Sequence, residues 1–342
     1  MWVSFRRKYL RFIYAPILNF SQSNISLYRK RRYIQRMVKY FLLELDSSTD
    51  RRIRVIYNFA DSPHTFGDFM VVVMLCRFFA LSGRQVLLST VDSSRREDWN
   101  ELEKDAQDRR IDELSDLAKS FLPPLGKFEK VYEYKPDPLD INLDSKSFYA
   151  SAPYFLDLLI SKYRWNIPDN FLLESSTKST SSPYIAWHVR LASYDDRRNF
   201  TLATITNDFK VLQKRFPGYS VMLISDSAGL EKAFQALTGS SEPKTRNVGG
   251  TKVMAQPIPG YQNAIPVVLG ASFYFQRGGG GIGVAAIFSS IPYINLCPDK
   301  SYFYGQHRGR IMPWSNENQH FLYVRKNLQS FSIAKLVNRL AV

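Results

Sequence analysis

The chain has 342 residues, of which 45% are hydrophobic and 14% aromatic, enough apolar material for a large core and, at this length, for two domains. Such a composition excludes a disordered chain, and no run of about 18 uninterrupted apolar residues is present to form a membrane-crossing helix. The net charge of +15 is unevenly spread: residues 1 to 54 hold 13 Lys/Arg against 3 Asp/Glu, so most of the excess lies in an N-terminal arm.

That arm, residues 1–50, reads as basic and helical. From Arg31 to Leu45 the apolar positions Ile34, Met37, Val38, Phe41, Leu42 and Leu45 follow helical spacing, with Arg32, Arg36 and Lys39 on other faces. Trp2, Phe5, Tyr9 and Phe12 form a second stripe, and Arg11 interrupts what a signal segment would need to keep apolar. Two readings stand level: a cationic helix lying on an anionic membrane surface, or a helix packed on the body by its apolar face. No nucleic-acid-binding motif is present, so nucleic acid is not an expected partner.

Residues 51–175 read as a first domain. A strand at Arg54–Ala60, a loop Asp61–Gly67, a helix Asp68–Leu81 and a strand Gln85–Ser89 make a βαβ unit with parallel strands. The loop holds His64, Gly67 and Asp68 on the side where such sheets bind ligands, although Asp68 also suits a helix start for reasons of dipole alone. Residues 93–120 are charged and helical, Phe128–Tyr134 is a strand, Pro136–Leu143 a loop and Tyr154–Tyr163 a helix. Ser175–Pro183 is polar and small, the composition of a linker.

Residues 183–330 alternate again. Strands are expected at Tyr184–Val189, Tyr219–Ser225, Lys252–Ala255, Ser272–Gln276 and Pro292–Leu296. Helices are expected at Thr206–Phe216, after Asp226 to about Leu237, at Asn263–Gly270 and at Val284–Ser289, with a terminal helix at Ala334–Leu340 inside residues 331–342. Strand-helix alternation on both sides of a linker implies an α/β chain of two Rossmann-like domains. The two cysteines, Cys76 and Cys297, lie far apart, which speaks for a reducing compartment. The four histidines show no metal-ligand spacing, so no metal site is expected.

Three strand ends of the second half hold polar groups that could share one rim. His188-Val189-Arg190 leads into a loop with Asp195, Asp196, Arg197 and Arg198. Ser225-Asp226 ends the next strand, where it could bind a ribose or phosphate or cap the following helix. Arg277 precedes Gly278, Gly279, Gly280 and Gly281, a run that lets backbone N–H groups approach an anion and that lacks the Gly-Lys-Ser/Thr of a Walker loop.

The strand ending in His-Val-Arg, the later strand ending in Ser-Asp-Ser and the glycine loop that opens a helix resemble the C-terminal half of GT-B glycosyltransferases, over roughly Pro183–Leu296. They are most similar to the fucosyltransferase group that includes the nodulation and core α1,6 enzymes and the protein O-fucosyltransferases. The resemblance implies two Rossmann-like domains facing across a cleft, and a GDP-sugar donor whose β-phosphate meets Arg190. The position after Arg190, often a second arginine in that group, is Leu191 here, and Arg197 or Arg198 could stand in for it. The expectation is metal-independent glycosyl transfer, fucosyl by preference, with His188, Arg190, Arg197, Arg198, Ser225, Asp226 and Arg277–Gly281 on the donor. His64 or Asp68 is the expected base for the acceptor hydroxyl, with Asp195 and Asp196 competing. The acceptor would be a glycan or a lipid-linked saccharide, met in the cytoplasm or at its membrane surface. Gly67-Asp68 opening the first helix is similar to heptosyltransferases, which leaves another donor open, and a non-catalytic polyanion- or membrane-binding protein stands as the alternative outside enzymes.

Overall fold

The computed structural model describes residues 27–46, 51–59, 66–91, 104–132, 137, 140–144, 152–174, 182–189, 191, 201–225, 227–257, 261–277, 281–297, 312–323 and 332–338, and absences below refer to these. Strands β1 (Ile53–Asn58), β2 (Val86–Val91), β3 (Gly126–Val131) and β4 (Ile141–Asp144) form a parallel sheet in the order β3-β2-β1-β4. Every residue of β2 is buried, as a parallel strand covered on both faces requires. The helix between β1 and β2, α2 (Phe66–Leu81), is apolar on nearly all sides and buried on nearly all sides, so it is a core helix rather than an amphipathic one. Its one interior cation, Arg77, donates to the backbone oxygens of Phe171 (3.0 Å), Phe121 (2.8 Å) and Asn170, which offsets the cost of placing that charge inside.

Helix α1 (Leu27–Asp46) settles the reading of that part of the arm. Ile34, Val38, Phe41 and Leu45 are buried. The Phe41 ring lies 5.0 Å from Phe79, 5.6 Å from Phe155 and 6.4 Å from Trp165, and Gln35 donates to the Tyr154 hydroxyl at 3.2 Å. The apolar stripe is therefore packed on α4 (Ala152–Ser161) and α2, where it cannot meet a membrane, while Arg36 and Lys39 face solvent. The second stripe, Trp2 to Phe12, lies outside the described residues, as does most of the expected linker. Among the described residues no helix is long and apolar enough to cross a membrane.

The second sheet holds β5 (Tyr184–His188), β6 (Ser220–Ser225), β7 (Arg246–Val248), β8 (Thr251–Pro257), β9 (Phe273–Arg277), β10 (Tyr293–Cys297) and β11 (Gln319–Tyr323) in the order β11-β10-β9-β5-β6-β8-β7. Only β7 is antiparallel, forming a hairpin with β8. Without it the strands run, in chain order, 6-5-4-1-2-3, the doubly wound arrangement of dinucleotide-binding domains. Helices α5 (Leu202–Arg215) and α6 (Ser227–Thr238) follow β5 and β6, and α9 (Ala334–Val337) packs beside α5. Helices α7 (Tyr261–Leu269) and α8 (Gly283–Ile287) join the core shared with α2 and α4. α3 (Lys104–Phe121) packs beside α2 and β3.

The halves share one continuous core. Leu173 donates its N–H to the Phe288 oxygen at 2.7 Å. The Trp314 indole donates to the Ile287 oxygen at 3.1 Å and stacks on Phe288 with 5.1 Å between centroids. Four strands differ from the sequence expectation. Ile141–Asp144, inside an expected loop, is strand β4, held to β1 through buried Ile141 and Leu143; Asp140, bonded to Arg52 at 3.1 Å, fixes its entry. Strand β3 ends at Val131, leaving Tyr132 exposed. Strands β7 and β11 were not expected.

Candidate functional site

The strand order of the second sheet reverses between β5 and β9, and in open α/β sheets the ligand crevice lies outside the carboxyl ends of the strands at such a reversal. The His-Val-Arg segment and the glycine loop leave the sheet from those two strands, which are hydrogen-bonded neighbours. Val189 extends β5 by donating to the Ile224 oxygen at 2.9 Å. Arg190, Asp195, Asp196, Arg197, Arg198, Asp226, His64, Gly278, Gly279 and Gly280 lie outside the described residues. Asp68, His188, Ser225, Arg277 and Gly281 lie within them.

His188 is 5% exposed, beside Ile224 and Gln276 in the register and on the face of β5 that carries Tyr184 and Ala186. That setting suits a residue that positions the strand end. Ser225, the last residue of β6, is buried with its hydroxyl oxygen unpaired, directly before Asp226 and the start of α6.

The last two residues of β9 point to opposite faces, as alternation along a strand demands. Gln276 is wholly buried, and its Oε1 accepts from the Tyr274 hydroxyl at 2.6 Å. A Cβ on Gly283 would fall 2.1 Å from that oxygen, so any larger residue there would have to push the Gln276 amide aside. Arg277, expected among the donor contacts, is instead 0% exposed, with Nε 2.8 Å from Asp208 Oδ2 and an Nη 2.6 Å from Oδ1. Its side chain points under α5, away from a ligand at the rim. Burial pushes the Asp208 carboxyl up from its ordinary range, against the pull of the guanidinium. Helix α8 spans five residues, too short to add much dipole at its start.

The first domain reaches the same rim. A Cβ on Gly67 would lie 2.6 Å from Gly281 Cα, and one on Gly281 would lie 2.8 Å from the Gly67 nitrogen. The start of α2, with Asp68 in its first turn, therefore abuts the glycine loop backbone to backbone. The contact is flanked by Tyr261, whose ring stacks on Phe66 at 4.7 Å and whose N–H donates to the Glu113 carboxylate. Burial raises the Tyr261 phenol above its ordinary range.

The structure thus sets Gly67 against Gly281 and the end of β5 beside the end of β9, with Ser225 on the strand beyond. Asp208, Gln276 and Tyr261 were missed from sequence. Asp208 carried a readable signal, since it falls on the buried stripe of α5 with Ile205, Phe209 and Leu212, where an acid needs a partner. Among the described residues no group of three or more His, Cys, Asp or Glu could hold a metal ion.

Two Rossmann-like domains meeting at their strand-end rims define a GT-B-like fold. No protein-family model and no curated protein sequence matches the chain. Among solved structures it is similar to the heptosyltransferase WaaC of E. coli with ADP (12% identity, 84% of this chain and 98% of that one, TM-score 0.47). It is also similar to the E. coli ADP-heptose lipopolysaccharide heptosyltransferase II (12%, 84% and 96%, 0.45). A third is the iron-containing dodecameric glycosyltransferase TibC of enterotoxigenic E. coli (15%, 80% and 64%, 0.41). None of them, at such scores, says anything of this chain's substrate.

Proposed function

We propose that this chain is a glycosyltransferase that moves a sugar from a nucleotide-diphosphate donor to a hydroxyl of a glycan or lipid-linked acceptor. The observation that supports this most is the coincidence of His188-Val189-Arg190 and the glycine loop at the strand-order reversal, with Gly67 of the first domain pressed on Gly281. The donor diphosphate lies outside β5 and β9. Arg190, with Arg197 or Arg198, and the amides of Gly278–Gly281 neutralise the charge that grows on the leaving diphosphate as the bond from the anomeric carbon breaks. Charge placed in advance of that step lowers the barrier without reorganisation. The acceptor enters along the first domain, and its hydroxyl proton passes to a carboxylate or imidazole from the set Asp68, His64, Asp195 and Asp196.

The His188-x-Arg190 pattern favours a GDP-sugar, fucosyl by preference. A heptosyltransferase-like reading with another nucleotide is favoured by Gly67-Asp68, which stands in contact with the glycine loop. We place the reaction in the cytoplasm, since Cys76 is a buried free thiol and Cys297 is distant from it in sequence. The test is Arg190→Ala, assayed for sugar transfer with GDP-, ADP- and UDP-sugars. Transfer should fall by about 10²-fold or more with the fold intact; transfer at the wild-type rate overturns the mechanism.

A further inference from the structure

Strand β3 lies at one edge of the first sheet and, at six residues, is longer than the other edge strands β4, β7 and β11. None of its residues is buried, and two exposed apolar side chains flank it, Leu125 (45%) before and Tyr132 (85%) after. The phase of its backbone follows from Val86, whose N–H donates to the Leu125 oxygen at 3.0 Å. In a parallel ladder that bond turns the N–H and C=O of Lys127, Glu129 and Val131 inward to β2, and those of Phe128 and Lys130 outward, together with the Gly126 oxygen. The Gly126 N–H is taken by the Pro123 oxygen at 2.7 Å. The outward groups pair with no other described strand, so the edge is open to one more.

The side chains alternate as well. Phe128 and Lys130 lie under α3, where Lys119 sits 5.7 Å from the Phe128 ring and Asp112 pairs with Lys130. Lys127 and Glu129 take the opposite face. Glu129, 35% exposed, receives the Ser89 hydroxyl at 2.5 Å and lies 3.6 Å from Arg54, both through Oε1, which leaves Oε2 to meet a further cation. Lys127 is exposed and has no partner among the described residues. The order Leu125, Lys127, Glu129, Val131 is self-complementary toward an antiparallel copy of itself: Lys127 meets Glu129, Leu125 meets Val131, and Phe128 meets Phe128. Registers centred on Lys127, Glu129 or Lys130 would instead set that residue against its own copy, like charge on like, which is destabilising.

We propose that the chain forms a homodimer by antiparallel pairing of β3 with β3 of a second copy, about a two-fold axis through Phe128 that joins the two four-stranded sheets into one. Phe128 exchanges N–H to oxygen bonds with its own copy, and the Lys130 N–H donates to the Gly126 oxygen of the second copy. A lysine on an edge strand keeps most strands away; here it admits the one partner that sets a carboxylate opposite it. The inference concerns assembly and does not rest on the glycosyltransferase reading above.

The test is analytical ultracentrifugation of the full chain over a dilution series, with Lys127→Glu, Glu129→Lys and an equimolar mixture of the two, each checked for folding by circular dichroism. Wild type should sediment as a dimer at about 100 µM and dissociate on dilution, as a modest interface does. Each variant should raise the dissociation constant roughly tenfold or more, because both Lys–Glu pairs become like-charge pairs. The mixture should regain a dimer of wild-type affinity, since each variant then offers the charge that the other needs. Should Glu129→Lys fail to fold for want of its Ser89 bond, Lys127→Glu alone decides. A wild-type chain that is monomeric at about 100 µM overturns the proposal. So does a dimer that Lys127→Glu leaves unchanged, the mark of another surface, and so do two folded variants that stay monomeric when mixed.

Discussion

Substituting Gly67 by Ala tests the meeting of the two rims. Neither Gly67 nor Gly281 has a left-handed φ, so the demand for glycine at these positions is one of space. The added methyl would sit 2.6 Å from Gly281 Cα and 3.3 Å from its oxygen, against backbone that has no rotamer to yield. Ordinary carbon contact begins near 3.4 Å, so the start of α2 and the glycine loop would have to part by roughly 0.8 Å. Overpacking of this kind costs about 1–3 kcal/mol, while replacing glycine by alanine in a helix returns up to about 1 kcal/mol. The net expectation is a loss of about 1–2 kcal/mol, read as a lower urea midpoint with an unchanged slope, together with weaker nucleotide binding because the loop has moved. Gly83→Ala is the control: its φ is +81° and nothing lies within 4 Å, so it should cost about 1 kcal/mol through the backbone and leave binding alone. Without the contact between rims, Gly67→Ala would gain helix propensity only, so a variant more stable than wild type refutes the packing described.

Phe41→Ala should destabilise the chain by about 3–5 kcal/mol in urea melts, since its ring fills a core site against Phe79, Phe155 and Trp165; a change below about 1 kcal/mol would mean that α1 is a detachable arm. Tyr184, buried with its hydroxyl donating to the Val267 oxygen at 2.7 Å, is pushed up from 10.0 to about 12 by burial. A raised pKa means stability fully present below pH 10 and lost as pH rises through about 12. The stability difference between wild type and Tyr184→Phe should therefore shrink by up to about 2–3 kcal/mol between pH 9 and 12 in urea melts, and a difference flat with pH would contradict the assignment.

The fold was largely legible in the sequence because parallel strands buried on both faces, such as β2 and β9, leave apolar runs bounded by turn residues. Strand β4 was not, since four residues behind Pro136 and Pro138 look like a loop until β1 supplies their partner. The apolar stripe of α1 was plain, but a stripe does not name what covers it; Phe155 and Trp165, more than a hundred residues on, do that. The candidate site was legible as three strand ends, and the strand order β9-β5-β6 that sets their strands side by side came only from the structure. Arg277 shows the limit most clearly. Beside four glycines it reads as an anion contact, whereas strand alternation turns it inward to an acid 69 positions earlier. The same alternation, applied with the acid on the buried stripe of α5, would have paired the two.

A structure of the chain with a bound nucleotide diphosphate bears most directly on the proposed chemistry. The diphosphate should lie outside the ends of β5 and β9, within hydrogen-bond distance of the Arg190 guanidinium and the amides of Gly278–Gly281. A diphosphate bound away from that strand-order reversal, with Arg190 and the glycine loop untouched, would contradict it.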